Sequence, residues 1–252
     1  DALTSYLSTL GWPMDQNGSF NTFWQEGRTL QVAGKDQVRF QSLMWQAMLM
    51  SAQVKNTDTV FYHGFITSEG QKMSKSLGNV ISPYELTEKY GTEATRYILL
   101  RHVHPADDSD VTWKRMDDWY TANLVNGLGN LVSRVMKLAE THLDTPVSLN
   151  DDDLRTEPAV TDLFDTFHFQ AAMDKIFEHV NKGDEYMTAH EPYRLIKEEE
   201  TADQARADIE ILVRHIAKVA AHLESALPAT AEAILAAVRE NKKPENLFPR
   251  LV

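Results

Sequence analysis

The chain has 252 residues, 42% of them hydrophobic and 25% charged, with a formal net charge of −12; this is the profile of a folded polypeptide with one large domain or two smaller ones. It has no cysteine, which excludes disulfides and thiolate metal ligands and fits a reducing compartment, the cytoplasm. The acidic balance argues against indiscriminate nucleic-acid binding, although a small basic face can still serve one partner, and no run approaches the roughly 18 apolar residues that span a bilayer.

The first residues, Asp1-Ala2-Leu3-Thr4, carry no basic region and no initiating Met, so the chain reads as cut from a longer one without a signal peptide. Thr29 to Ala33 is a strand candidate ending at Gly34. Val38 to Gln53 reads as a helix with Phe40, Leu43, Met44, Ala47 and Met48 at helical spacing. Thr59 to Ile66 is an apolar run of strand length, of the kind covered on both faces in a parallel sheet. Strand, helix, strand is a βαβ order. Ser82-Pro83-Tyr84-Glu85 is a helix start with a capping box, and a second short helix runs from Glu93 to Arg101.

The polar stretch 102–112, with Pro105 and several Asp, reads as a linker. Beyond it the pattern is helical throughout. Lys114 to Thr141 is one long helix with Leu124, Leu128, Leu131, Val135 and Leu138 as its apolar seam. Asp162 to Asn181 is another, ended by Gly183. A turn at Glu191-Pro192 leads to a short element. Ala202 to Ala226 and Ala229 to Arg239 follow, separated by Pro228. The expected fold is thus α/β followed by an all-α bundle, with a boundary near residue 110.

Chemistry concentrates in Gly70-Gln71-Lys72-Met73-Ser74-Lys75-Ser76-Leu77-Gly78-Asn79. Two lysines three apart, on a loop flanked by glycines, can follow negative charge as it develops on phosphate oxygens. A bare Lys-x-x-Lys is more often a solvated turn. Read from the residues alone, Phe40 is plain core, His63 a satisfied core histidine, and Lys35 and Asp36 a turn pair. Asn126, Asn130 and Arg134 are spaced four apart and form a polar stripe beside the long helix's seam.

Lys72-Met73-Ser74-Lys75-Ser76 matches the class I aminoacyl-tRNA synthetase signature letter for letter. With its Leu-Gly-Asn tail it is shared by the enzymes for Ile, Val, Leu and Met. Gly34-Lys35-Asp36 followed by Arg39-Phe40 resembles the methionyl-tRNA synthetases. So do Asp1-Ala2-Leu3-Thr4-Ser5-Tyr6, Phe61-Tyr62-His63-Gly64-Phe65, Asn130-Leu131-Val132-Ser133-Arg134 and Leu247-Phe248-Pro249-Arg250. The resemblance implies that residues 1–110 are the C-terminal part of a Rossmann-like catalytic domain and 111–252 an anticodon-binding bundle.

It further implies a methionine pocket at Ala2, Tyr6, Phe40 and His63. ATP, with Mg²⁺, would meet Gly34, Lys35, Asp36, Lys72, Ser74 and Lys75, of which Lys72 and Lys75 would be catalytic. The anticodon of tRNA-Met would be read by Asn130, Arg134 and Tyr193. No metal site is expected in this chain, and a structural zinc belongs to the family's N-terminal part. The family's His-x-Gly-His motif does not occur here, so the expectation is a truncated chain that forms no methionyl-adenylate alone. Three positions depart from the family: Gln41 stands where His is usual, Gln46 where Pro often follows Trp45, and Tyr193 where Trp is usual. The rival readings are another synthetase of the Ile/Val/Leu group and a non-catalytic tRNA-binding module.

Overall fold

The structure is a computed structural model that describes residues 2–14, 18–74 and 76–251. It divides into two compact units, residues 1–65 with 105–108, and residues 66–104 with 109–252. The break at Phe65 differs in place from the division of roles drawn at residue 110.

In the first unit a short helix α1 (Ser5–Ser8) precedes a π-helical turn, Asn21–Glu26. Strand β1 (Leu30–Gly34) then leads, through a tight turn at Lys35–Gln37, into a helix that is π-helical over Arg39–Trp45 and continues as α2 (Gln46–Ser51). The chain returns as β2 (Thr59–His63), parallel to β1 with Gly34 opposite His63. The βαβ order read from the sequence is therefore present. Asp58 fastens the start of both strands. It accepts from the Thr29 amide and hydroxyl at 2.8 and 2.9 Å and from Lys55 at 2.8 Å. Those bonds, the Lys55 one foremost, hold its carboxyl down to about 2.

The helical stripe expected over residues 38–53 is wrong. The buried positions are Gln41, Trp45 and Leu49, while Phe40, Leu43 and Met44 are exposed. The indole of Trp45 decides the face. It packs against Tyr6 and Trp24, with centroids 5.7 and 6.1 Å away, and joins Leu7, Phe20, Leu49 and Val54 in the unit's core. A buried Trp contributes more contact area than any residue of the expected stripe. β2 is half-buried rather than covered on both faces.

The second unit opens with a small sheet. β3 (Ile66–Ser68) pairs antiparallel with β4 (Gln71–Lys72) and parallel with β5 (Ser109–Asp110). The stretch 102–112 is therefore structured and not a bare linker. Asp110 accepts from the Gly70 amide at 2.7 Å and from the Thr67 hydroxyl at 3.1 Å, which explains one of the acidic residues that made it look like one. Helices α3 (Pro83–Tyr90) and α4 (Thr92–His102) follow, the former with the predicted capping box at Ser82 and Glu85.

The long helix runs without a break from Trp113 to His142, as α5 (Trp113–Trp119), a π-helical stretch (Tyr120–Gly129) and α6 (Asn130–His142). Its inner face, Tyr120, Leu124, Leu128, Leu131, Val132, Val135, Met136 and Ala139, is almost wholly buried. Around it pack α7 (Pro158–Asp165), α8 (Phe169–His190), the short α9 (Pro192–Leu195), α10 (Ala202–Leu223) and α11 (Pro228–Glu240). Pro228 starts α11 at the position where its missing amide costs least.

Two expectations about α7 and α8 need correcting. The single helix from Asp162 is two, parted at Phe167, whose φ of 62° is left-handed. Gly183 does not end a helix but lies buried inside α8. A Cβ there would fall 2.8 Å from Leu131 Cδ2 and 3.0 Å from His215 Cδ2, so this glycine lets α8 approach its neighbours closely.

Polar side chains fix α4 against the bundle. Arg96 donates to the Ala226 carbonyl at 2.7 Å, Glu93 accepts from the Thr230 amide at 3.0 Å, and Arg101 bridges to Asp174 at 2.9 Å. At its end, His102 stacks on Trp119 with ring centroids 4.2 Å apart and contacts the Tyr97 hydroxyl at 3.2 Å.

Two predictions follow from this packing. Leu128, with no exposed surface, contributes burial that cannot be replaced locally; Leu128→Ala should lower unfolding free energy by about 3 kcal/mol in urea titration. Burial, and secondarily Arg101, lowers the His102 imidazole from 6.5 to about 4 against the pull of Asp174. Between those values the unfolded chain takes up a proton that the folded chain refuses, so stability present above pH 6.5 is lost as pH falls. His102→Gln should flatten part of that decline between pH 7 and pH 4; an unchanged slope would refute this.

Candidate functional site

In the first unit the sequence-chosen residues gather at the carboxyl ends of the parallel pair, where α/β sheets hold ligands. Gly34 closes β1 and lies against His63 at the end of β2; a Cβ on Gly34 would sit 3.7 Å from His63 Cε1 and 2.7 Å from Asp36 Oδ1. Glycine thus leaves room for the Asp36 carboxylate to fold back over the strand end. Lys35 reaches Asp108 at 2.6 Å, with both side chains near half exposure, and its ammonium stands 5.0 Å over the Phe65 ring. The bond from Lys35, then the Phe65 amide, lowers the Asp108 carboxyl from its ordinary value. Lys35 is therefore a positioned cation rather than half of a turn pair with Asp36.

Phe40 is 45% exposed and His63 is exposed too, its Nδ1 2.9 Å from the Gly64 carbonyl. Neither is the core residue that spacing alone predicts. Tyr6 and Ala2 are also exposed. The Tyr6 hydroxyl accepts from Gln41 Nε2 at 3.1 Å, so the Gln that stands in place of His is buried and positions Tyr6. Gln46 is equally occupied. It donates to the Gln41 carbonyl at 2.9 Å and accepts from Asn56 and the Thr57 amide at 3.0 and 3.1 Å. Local spacing gives no sign of the Gln41 bond, because Tyr6 lies 35 residues away.

The lysine loop belongs to the second unit. Lys72 ends β4 and is exposed. Lys75 lies outside the described residues. Gly70 and Gly78 have φ of +70° and +66° with open space at the Cβ position, the left-handed backbone that favours glycine at both ends of a loop. Asn79 clasps the loop: its Oδ1 accepts from the Ser74 amide at 2.9 Å and its Nδ2 donates to the Lys72 carbonyl at 3.4 Å. Ser74 Oγ lies 3.2 Å from Ser76 Oγ and accepts from the Leu77 amide at 3.3 Å. The sequence reading gave Asn79 no role, though it stands in the motif's tail.

A third group lies along the long helix. Arg134 and Tyr193 line one groove of about 390 Å³, together with Lys137, Lys243 and Met187. Arg134 reaches Asp184 at 3.4 Å with both side chains more than a third exposed. Burial raises the Asp184 carboxyl and Arg134 opposes it. Tyr193 is 40% exposed and donates to Glu191 at 3.3 Å; Glu191 itself turns the chain with a left-handed φ of 42°. Asn130 is exposed but lines a neighbouring groove with Asn126 and Arg250, sharing Ser133 with the first. The terminal Leu247-Phe248-Pro249-Arg250 forms part of that second groove. It is anchored by the Tyr120 hydroxyl, which donates to the Pro249 carbonyl at 2.7 Å. Lys137 and Lys243 went unnoticed in the sequence. Lys137 is one turn from Arg134 and could have been found; Lys243 is brought in only by the fold.

Residues 1–136 match the family described as tRNA synthetases class I (M). The methionine–tRNA ligase of Fusobacterium nucleatum is 34% identical over 93% of this chain and 38% of its own length. That of Mycobacterium bovis is 33% identical over 93% of this chain and 47% of its own. The chain spans less than half the length of these relatives. Among solved structures, Mycobacterium tuberculosis methionyl-tRNA synthetase bound by methionyl-adenylate superposes on the whole chain with a TM-score of 0.81 and 29% identity, over 54% of its own chain. With the lysine loop, the strand-end residues and this match over more than half its length, the chain belongs to the class I methionyl-tRNA synthetase family.

Proposed function

We propose that this chain serves the joining of methionine to tRNA-Met. Methionine and ATP, the latter taken as its Mg²⁺ complex, give methionyl-adenylate and pyrophosphate. The methionyl group then passes to the terminal ribose of the tRNA, releasing AMP. Residues 1–110 supply part of the catalytic domain and residues 111–252 the anticodon-binding bundle. The observation that carries this reading is the meeting of Arg134 and Tyr193 in one groove with Lys137 and Lys243. A guanidinium, an accessible aromatic face and ammonium groups around one concavity suit an unpaired loop, whose bases stack and offer their edges.

The catalytic roles rest on the other two groups of residues. Lys72 and Lys75 neutralise charge on the leaving pyrophosphate, and Ser74 shapes the loop that carries them. Lys35 and Asp36, beside Gly34, take the nucleotide; Asp36 suits a ribose hydroxyl. Tyr6, Phe40 and His63, with Ala2, receive the methionine side chain, since aromatic rings suit a polarizable thioether. Asn130 adds an amide to the anticodon face from the adjoining groove. The cytoplasm is the compartment assigned, and among the described residues no helix is long and apolar enough to cross a membrane.

Binding of tRNA-Met to the 252-residue chain, measured by fluorescence anisotropy at fixed salt, tests this. Arg134→Ala and Tyr193→Ala should each weaken binding by about 5- to 150-fold, the equivalent of losing one stacking or base-edge contact of 1–3 kcal/mol. Lys72→Ala should leave it within about twofold, because the lysine loop acts on ATP. Equal affinity in all variants would overturn the assignment of the groove.

A further inference from the structure

Away from these residues, three side chains from separate parts of the bundle converge. Glu157 precedes α7, His179 lies on α8 and His222 on α10. Nε2 of His179 is 3.3 Å from Glu157 Oε1, and Nε2 of His222 is 3.8 Å from the same oxygen. One ligand-type atom from each residue lies within 4.8 Å of the others. The two rings meet edge to face with centroids 5.0 Å apart.

His222 is 1% exposed, and neither of its ring nitrogens has a hydrogen-bond partner among the described residues. A buried imidazole left in that condition is costly. The 3.8 Å gap to Glu157 is too long for a hydrogen bond. It is close to the spacing set by a common ligand: bonds of about 2.0–2.1 Å to a tetrahedral zinc put neighbouring donor atoms roughly 3.3 Å apart. The two edges to Glu157, 3.3 and 3.8 Å, lie within about half an ångström of that spacing, and the ligand atoms of the two histidines lie within 4.8 Å of each other.

We infer that Glu157, His179 and His222 form a site for a divalent transition-metal ion, zinc by ligand type. Two histidines and one carboxylate are a set that zinc accepts, leaving a fourth position for water. Ligands from two helices and a helix start, projecting toward one point, are how bundles build such sites. The Glu157 side chain is 35% exposed, which gives the ion a way in.

The protonation states agree with this geometry. Burial lowers both imidazoles, His222 to about 4, and so leaves lone pairs for a metal at neutral pH. The site is independent of the tRNA reading and can stand or fall without it.

The test uses the 252-residue chain, stripped with chelator and titrated with ZnCl₂ in a calorimeter, and with Co²⁺ as a spectroscopic probe. One Zn²⁺ per chain is expected, with a Tm higher by a few degrees when zinc is in excess and a Co²⁺ visible band of low-coordinate type. Glu157→Gln and His179→Gln, checked for folding by circular dichroism, should each weaken binding by at least about tenfold. His168→Gln, at an exposed histidine outside the cluster, should leave binding unchanged. No binding, or binding that survives both ligand substitutions, would overturn the proposal.

Discussion

The second unit depends on one buried seam. From Tyr120 to Ala139 the inward positions of the long helix are closed to water, and α8, α10 and the terminal segment pack around them. Burying that apolar face fixes the helix's rotation about its own axis, because a turned helix would expose Leu124, Leu128 and Leu131 together. Once the rotation is fixed, the opposite face has no freedom. Asn126 and Asn130 are held outward and Arg134 at the groove's edge, while Gly183 lets α8 come close enough to bring Met187 to the same groove. The polar surface is thus a consequence of the apolar one.

The first unit follows a different logic. A parallel pair puts the ends of β1 and β2 side by side, so Gly34, Lys35, Asp36 and His63 meet although nearly thirty residues separate Gly34 from His63. Lys35 is held by Asp108 and Phe65. Tyr6 is held by a buried Gln41. At both places a charged or aromatic group stays exposed while a neighbour limits its orientation, an arrangement suited to binding a polar ligand.

Much of this was legible in the sequence where a signal is local. The capping box at Ser82 and Glu85, the glycines flanking the lysine loop, the seam of the long helix and the βαβ order each depend on residues close to one another in the chain. What the sequence hid depends on distant partners. The inner face of residues 39–51 was misread because a Trp packing on Tyr6 and Trp24 outweighs a run of smaller apolar residues. Gly183 was read as a helix end because close helix packing and helix termination both use glycine. Residues 102–112 passed for a linker because the partners of Asp108 and Asp110 are not adjacent in the chain. Glu157, His179 and His222 lie on different elements, with no short-range spacing to mark them.

In the proposed function the groove beside the long helix reads the anticodon of tRNA-Met. Its most direct measurement is competition between tRNA-Met and the same tRNA with only its anticodon bases exchanged, for the 252-residue chain at one salt concentration. The account predicts that the exchanged tRNA binds at least about tenfold more weakly, because base-edge and stacking contacts are lost while phosphate contacts remain. Equal affinity for the two would contradict it.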